Sequence, residues 1–256
     1  MSDGLQHLRS ATRAWKGVAR SLLIYHARPA HIRGLKRLYG RFVTPGELAF
    51  DVGAHVGDRT RALAGLGARV VAVEPQPRLM ACLRLLFGRR SDVVLVEAAL
   101  GESEGEIELH LNTANPTVSS ASIDLRKAAF QDARWQGQIW DEVALVRMTT
   151  LDALIAAYGE PVFVKIDVEG LEDQVLKGLS RRVGTLSFEF TTLQRDVGLK
   201  ALERCATLGY RRFNLSLGES HAMEFADPVD RQTLAQAIAA LPDEANSGDV
   251  YCFETA

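Results

Sequence analysis

The chain has 256 residues, of which 47% are hydrophobic and 24% charged, and its formal net charge at pH 7 is −2. This length suits one α/β domain with additions, and the apolar fraction supports a complete core. Apolar runs reach only strand length and the N-terminus has no signal-peptide pattern, which argues against a membrane-spanning or secreted protein. Three scattered cysteines indicate a reducing, cytoplasmic setting with buried thiols and no zinc site.

The N-terminal segment is strongly basic. Residues 1–46 contain nine lysines and arginines against one acid, Asp3. We predict two helices over residues 5–41, broken at Pro29, and a division into a basic helical arm (1–41) and a main domain (42–256). The arm could pack on its own domain, on a second copy, or on a membrane or anionic glycan. Nucleic acid is not expected, because no aromatic residues alternate with the basic ones.

A glycine turn follows the first predicted strand, residues 47–52. Gly53 and Gly57 frame this turn, and a helix is predicted over 58–65. Glycine allows a ligand to approach the backbone and permits positive φ. We therefore expect the end of the strand and the turn to hold one end of a ligand. The expected contacts are Asp51, Gly53, Ala54, His55 and Gly57.

An acid closes the second predicted strand, residues 69–74. Glu74 can accept hydrogen bonds from the two hydroxyls of a ribose. His55 stands where a dinucleotide-binding motif has its second glycine, and this removes room for a pyrophosphate. The unit thus predicts a nucleoside ligand without phosphates, and S-adenosylmethionine (SAM) fits.

A third strand is predicted over residues 93–97, after a helix over 77–87 that begins with prolines. The segment after this strand should pass the adenine ring, and a small residue such as Ala98 or Ala99 leaves room for it. Glu97 and Ala99 are therefore candidate cofactor contacts.

The strand–helix alternation changes over residues 103–150, which we interpret as an insertion covering a face of the sheet. Residues 105–111 have the period of an antiparallel strand, and 143–149 is its predicted partner. Residues 123–140 are predicted to be irregular. His110 is either a base above the substrate or a solvent-facing strand residue.

A second acidic motif follows the strand predicted at 162–166. Asp167 and Glu169 lie where the chain leaves the sheet, and Glu169 either faces the site or only caps the next helix. They are candidate catalytic residues that would hold or deprotonate a substrate hydroxyl, and Asp167 is also a candidate cofactor contact. With Glu189 they form a possible divalent-cation site. Lys165 is predicted to pair with an acid.

Strands continue to alternate with helices toward the C-terminus, which predicts a mostly parallel sheet with helices on both faces. In such sheets, ligands bind at the carboxyl ends of the strands. The acids at predicted strand ends are Asp51, Glu74, Glu97, Asp167 and Glu189. The remaining predicted elements are helices over 171–179 and 197–208 and strands over 185–190, 209–215 and 249–254.

These motifs resemble those of the FkbM-type methyltransferases. Residues 50–58 look like the first motif of that family, and residues 164–170 with 175–178 look like the second, while 150–154 and 208–210 are also similar. The resemblance implies a class I SAM-dependent methyltransferase with a Rossmann-like, seven-stranded sheet. It also implies methyl transfer to a hydroxyl of a sugar, glycan or secondary metabolite.

Two alternatives use the same residues differently. A nicotinamide-dependent dehydrogenase or epimerase would need the phosphate room that His55 removes, and the chain has no Tyr-x-x-x-Lys pair. A non-catalytic SAM-fold module would dock on a partner through the basic arm.

Overall fold

A computed structural model describes residues 2–254 of the chain, with side chains from residue 12 onward. The helices are α1 (Ser2–His26), α2 (Pro29–Tyr39), α3 (Asp58–Ala64), α4 (Pro77–Phe87), α5 (Ile123–Gln131), α6 (Leu151–Tyr158), α7 (Glu172–Lys177), α8 (Arg195–Thr207) and α9 (Arg231–Ala240). The strands are β1 (Leu48–Val52), β2 (Arg69–Val73), β3 (Val93–Val96), β4 (Ala99–Leu100), β5 (Gly105–Leu111), β6 (Glu142–Thr149), β7 (Phe163–Ile166), β8 (Thr185–Thr191), β9 (Arg212–Leu217) and β10 (Ser247–Phe253).

Seven strands form the main sheet, in the order β3-β2-β1-β7-β8-β10-β9. The pairs on both sides of β1, the β2–β3 pair and the β7–β8 pair are parallel, whereas β10 runs antiparallel to β8 and β9. The predicted mostly parallel seven-stranded sheet is confirmed. The carboxyl ends of β1, β2 and β7 therefore lie along one edge.

Successive side chains of a strand point to opposite faces of the sheet, and here both faces carry apolar side chains. Helices therefore cover both faces. Phe50 and Val52 of β1 belong to a core that also contains buried residues of α6 to α9. Ala49 belongs to a second core on the opposite face, with buried residues of α2, α3 and α4.

The basic arm packs on the main domain. Pro29 begins α2, as the break predicted at this position requires. Leu35, Leu38 and Tyr39 of α2 are buried in the same core as β1 and β2. Val18 of α1 is buried against α4. Of the placements considered for the arm, the structure shows packing on its own domain.

The insertion forms a second, three-stranded sheet in the order β4-β6-β5. The predicted antiparallel pairing of 105–111 with 143–149 is confirmed. The prediction of an irregular segment at 123–140 is wrong, because α5 begins there. The Ser122 hydroxyl caps α5 by accepting a hydrogen bond from the Leu125 amide. A serine directly before a helix is a signal in the local sequence that the helix begins there.

Other boundaries also differ from the expectations. The sixth predicted strand begins at residue 212 instead of 209, and β4, α6 and α9 were not predicted.

The three cysteines are free and buried, as expected. Among the described residues, no helix has both the length and the apolarity needed to cross a bilayer.

Candidate active site

A large cleft opens at the carboxyl ends of β1, β2, β7 and β8, and it is partly open to solvent. Residues of β4, β5, α1 and the loop after β9 also line it. The predicted strand-end position of the site is therefore occupied by a cleft.

Only some residues of the glycine turn line the cleft. Gly53 lines it at φ 81°, and a Cβ there would lie 1.7 Å from the Asp167 carbonyl oxygen, so only glycine fits where β1 and β7 end together. Gly57 also has positive φ, but a Cβ there would collide with Phe87 of α4. Gly57 is thus a packing glycine of α3 and α4, and Ala54 is buried in the core.

Asp51 lies beneath the turn and not in the cleft wall. Its carboxylate accepts a hydrogen bond from the Thr60 hydroxyl of α3, and its Oδ1 has no hydrogen-bond partner among the described residues. Burial raises the pKa of Asp51 to about 6. Asp51 is therefore not among the residues that line the cleft, because its side chain turns toward α3.

Glu74 forms a preorganised acceptor in the cleft wall. Its Oε2 accepts the backbone N–H of His55 and its Oε1 accepts that of Gln76, both at 2.8 Å. Burial raises the pKa of Glu74 to about 8, although both N–H groups act in the opposite direction. Each carboxylate oxygen keeps a lone pair for a further donor, as two ribose hydroxyls require. We call this arrangement the ribose site.

His55 presents its ring to the cleft from a left-handed backbone with φ 50°. The ring meets Tyr25 of α1 edge-on with centroids 5.4 Å apart, and its Nε2 lies 3.5 Å from the Thr117 hydroxyl. Burial lowers the pKa of His55 to about 4, so the ring is neutral at pH 7. His55 is therefore both a cleft residue and a contact to a neighbouring loop.

Three carboxylates converge at the ends of β7 and β8. Oxygens of Asp167, Glu169 and Glu189 lie within 4.8 Å of one another, and all three residues line the cleft. We call them the carboxylate cluster. Glu169 adopts φ 56°, and its carbonyl oxygen accepts a hydrogen bond from the Ser120 hydroxyl. Glu172, the first residue of α7, accepts the backbone N–H groups of Val168 and Gly170 in the turn before the helix.

Two cations balance the carboxylate cluster. The Lys165 ammonium lies 2.9 Å from Asp249 and 3.5 Å from Asp167, which confirms that this lysine pairs with acids. The Arg59 guanidinium lies 3.3 Å from Asp167. Burial alone would raise the pKa of Asp167, but Lys165 and Arg59 outweigh it and hold that pKa at about 2.

The other two acids of the cluster behave differently. Burial, reinforced by the charge of Asp167, raises the pKa values of Glu169 and Glu189 well above the ordinary range. Within the cluster, the surroundings therefore favour the ionised form of Asp167 and the protonated forms of Glu169 and Glu189. Such closely coupled acids exchange protons as a unit.

The sequence analysis missed Arg59, Tyr25 and Glu219, all of which line the cleft. Arg59 lies in the first turn of α3, where the helix dipole disfavours a cation, and this position was a usable signal that the guanidinium has an acidic partner. Tyr25 and Glu219 come from opposite ends of the chain, and no local pattern marks them.

Two expected site residues lie outside the cleft. Glu97 points away from it and pairs with Arg84 at 2.6 Å on the surface. His110 lies on β5, where its backbone pairs with Ser120, and it does not line the cleft. Ala98 and Ala99 do line the cleft.

Comparison with known proteins agrees with this geometry. Residues 51–211 match the methyltransferase FkbM domain. No curated protein matches the chain significantly. The similar solved structures include a precorrin-6Y C5,15-methyltransferase from Geobacter metallireducens (14% identity, TM-score 0.45, 88% of this chain and 87% of that chain covered). They also include a TehB-like SAM-dependent methyltransferase from Corynebacterium glutamicum (11%, 0.45, 86% and 86%) and the fibrillarin of Aeropyrum pernix with natively bound SAM (10%, 0.44, 82% and 68%).

The family match spans both the glycine turn with the ribose site and the acids that follow β7. It therefore includes the two motifs on which the resemblance rested, and it covers more than half of the chain. The chain belongs to the FkbM methyltransferase family and is a SAM-dependent methyltransferase.

Proposed function

We propose that this protein transfers the methyl group of SAM to a hydroxyl oxygen of a sugar, glycan or secondary metabolite. The observation that carries the proposal is the carboxylate cluster, which borders the same cleft as the ribose site. A sugar hydroxyl is weakly acidic, so its methylation calls for a group that removes the proton. The cluster supplies oxygen acceptors where an acceptor hydroxyl can reach them.

The residues of the cleft fit SAM. The free lone pairs of Glu74 suit the ribose hydroxyls, Ala98 and Ala99 leave room for a flat ring, and Gly53 permits close approach of the ligand. His55 is placed to contact the methionine part of the molecule. When bound, SAM supplies a methyl group already activated by its sulfonium charge, so the protein needs mainly to position the acceptor and its base.

Asp167 is the proposed acceptor of the substrate hydroxyl hydrogen. It stays ionised because Lys165 and Arg59 are adjacent. As the new carbon–oxygen bond forms, the hydroxyl proton passes to the coupled carboxylates, the carbon–sulfur electron pair remains on sulfur, and the products are a methyl ether and S-adenosylhomocysteine. Glu169 is the second catalytic residue of this proposal, since its carboxyl group lies beside that of Asp167 in the carboxylate cluster. His110 has no part in it because the ring does not line the cleft.

The insertion gives the acceptor side an apolar wall. Ile107 and Leu109 of β5, together with Ala121, line the cleft. An acceptor with an apolar face, such as a sugar ring or a polyketide, would bury that face there while presenting a hydroxyl to the acids. This composition supports a neutral hydroxyl acceptor more than a highly charged one.

The carboxylate cluster is also a candidate for a hard divalent cation such as Mg²⁺. We favour the metal-independent base, because Lys165 and Arg59 already provide positive charge at Asp167. Methyl transfer by metal-stripped protein should be the same with and without added Mg²⁺. A strict Mg²⁺ requirement would assign these three acids to the cation.

The first test is calorimetric titration with S-adenosylhomocysteine, with NAD as the parallel ligand. Binding of the first alone is expected, whereas binding of NAD alone would overturn the assignment of cofactor. The second test incubates the protein and methyl-labelled SAM with a panel of sugars and polyketide alcohols, each beside its amino analogue. Label recovered as methyl ether supports O-methylation, and label on nitrogen or carbon alone would overturn it.

A further inference from the structure

A second cluster of metal-ligating side chains lies beside the cleft, and methyl transfer does not account for it. His31 of α2 and Glu219 and His221 of the loop after β9 come together there. His31 and His221 are largely buried, whereas the Glu219 side chain is about half exposed, at 52%. We call these three residues the His–Glu cluster.

The three ligand atoms have the spacing of a metal site. His31 Nδ1 lies 3.1 Å from His221 Nε2 and 3.6 Å from Glu219 Oε2, and His221 Nε2 lies 3.9 Å from the same oxygen. A triangle with these sides has a circumradius of about 2.1 Å, so one point lies about 2.1 Å from all three atoms. Zinc binds imidazole nitrogen at roughly 2.0–2.1 Å and carboxylate oxygen at roughly 2.0–2.2 Å.

A buried carboxylate orients the first of these ligands. Asp58 Oδ2 lies 2.7 Å from His31 Nε2, and a carboxylate can only accept there, so Nε2 carries the proton. Nδ1 is then the atom left for a metal, and it is the atom that faces the other two ligands. Metal-binding histidines characteristically donate their second N–H to such a carboxylate.

The position of His221 is also specific. A Cβ at Gly34 of α2 would lie 2.3 Å from the His221 ring, so the absence of a side chain at residue 34 makes room for it. His221 adopts φ 54°, a left-handed conformation that is strained for a residue with a side chain. An ordinary surface loop has no need of either feature.

The charges around the cluster favour a dication. Asp58, Asp167 and Glu219 surround Arg59, whose Nη2 lies 3.8 Å from Glu219 Oε1. Lys165 pairs with both Asp167 and Asp249, so four acids stand against two cations and leave negative charge in excess. Arg59 lies near the other oxygen of Glu219, which leaves Oε2 free to ligate.

We propose that His31, Glu219 and His221 bind a zinc ion or a similar nitrogen-preferring divalent metal. Two imidazoles and one carboxylate suit zinc and disfavour Mg²⁺, which prefers oxygen ligands. The ion fastens α2 to the loop after β9. This link lies at the rim of the cleft, because Glu219 also lines the cleft. Three protein ligands leave a fourth position for water. The cysteine pattern predicted no zinc site, and this one uses no cysteine.

The test uses the full chain, stripped with a chelator, dialysed and titrated with Zn²⁺ by calorimetry. We expect one equivalent to bind with a dissociation constant of micromolar or lower, and Co²⁺ to give a visible spectrum without thiolate bands. His221→Ala should weaken zinc binding at least 100-fold, and Glu219→Gln roughly 10- to 100-fold. His110→Ala, which alters a histidine outside the cluster, is the matched control and should bind zinc like the wild type.

Other outcomes would overturn the proposal. These are no stoichiometric binding by the wild type, unchanged binding in both His221→Ala and Glu219→Gln, or a Co²⁺ spectrum with thiolate bands. His221 lies in a loop, and its replacement should leave the far-ultraviolet circular dichroism unchanged, so lost binding with retained secondary structure identifies a ligand. Because the readout is zinc binding, it is independent of whether the acceptor is a hydroxyl.

Discussion

The ribose site and the carboxylate cluster border one cleft, yet they are built differently. Glu74 is held by two backbone N–H groups within 19 residues of it, and it stays close to the strand that positions it. Asp167 is held by charged side chains of α3 and of its own strand, and Lys165 in turn binds Asp249 of β10. The comparison teaches that the proposed cofactor contact is held by local bonds, whereas the proposed chemistry depends on long-range packing.

The largest expected effect is on turnover. Asp167→Asn should lower the rate of methyl transfer by roughly 10²- to 10⁴-fold, because it removes the ionised acceptor of the hydroxyl hydrogen. The rate is measured as S-adenosylhomocysteine released with a hydroxyl acceptor found in the panel. Glu97→Gln, at a strand end outside the cleft, is the control and should retain wild-type turnover. Equal turnover by Asp167→Asn and the wild type would remove Asp167 from the mechanism.

The next effect is on stability. Lys165 is fully buried, so Lys165→Met should lower the free energy of unfolding by about 3–5 kcal/mol, because it removes the cation beside Asp249 and leaves Asp167 with Arg59 alone. Urea denaturation measures the change. The control is Lys200→Met, which breaks an exposed pair with Asp196 and should leave the free energy of unfolding nearly unchanged. Similar losses of unfolding free energy in both variants would show that the buried pairs of Lys165 with Asp167 and Asp249 stabilise the protein no more than an exposed pair does.

A smaller effect is expected on cofactor binding. Glu74→Gln should weaken S-adenosylhomocysteine binding by roughly 10- to 100-fold, since it replaces charge-assisted hydrogen bonds with neutral ones. Calorimetry measures the affinity, and Glu97→Gln again serves as the matched acid. If Glu97→Gln weakened binding as much as Glu74→Gln, the ribose would have to lie elsewhere.

The smallest effect concerns pH. Burial raises the pKa of Glu74 from 4.5 to about 8, so its stabilising contribution to the free protein is present below pH 4.5 and is lost as the pH rises through 8. Ribose hydroxyls donate to the ionised form, so S-adenosylhomocysteine affinity should change in the opposite sense and rise about tenfold from pH 7 to 9. Titration at several pH values measures it. Glu74→Gln should abolish the trend, and a trend that survives in this variant would assign it to another group.

The sequence predicted the main sheet and Glu74 because both depend on local patterns. Strand-end acids mark an edge of the sheet, but they do not say which way each side chain points. Glu74 turns into the cleft, whereas Glu97 turns to the surface and Asp51 turns beneath the glycine turn. That difference comes from the direction in which each strand end leaves the sheet, which residue type alone does not encode.

The residues missed by the sequence analysis share another cause. Arg59, Tyr25 and Glu219 reach the cleft only after α1, α2 and the loop after β9 have packed together. The arm was read as an addition to the domain because its basic composition differs from the rest. Its apolar residues, such as Leu35 and Tyr39, instead indicate that the arm packs on the domain, since they are buried in the main core.

The contact between His31 and His221 joins residues 190 positions apart. During synthesis, α2 leaves the ribosome long before the loop that it must meet, and contacts of such separation are slow to form. We therefore expect the rim of the cleft to form late in folding. The backbone bonds of the ribose site join residues that are close in sequence, so they can form earlier. A nascent chain can thus assemble its cofactor pocket well before it is able to enclose an acceptor.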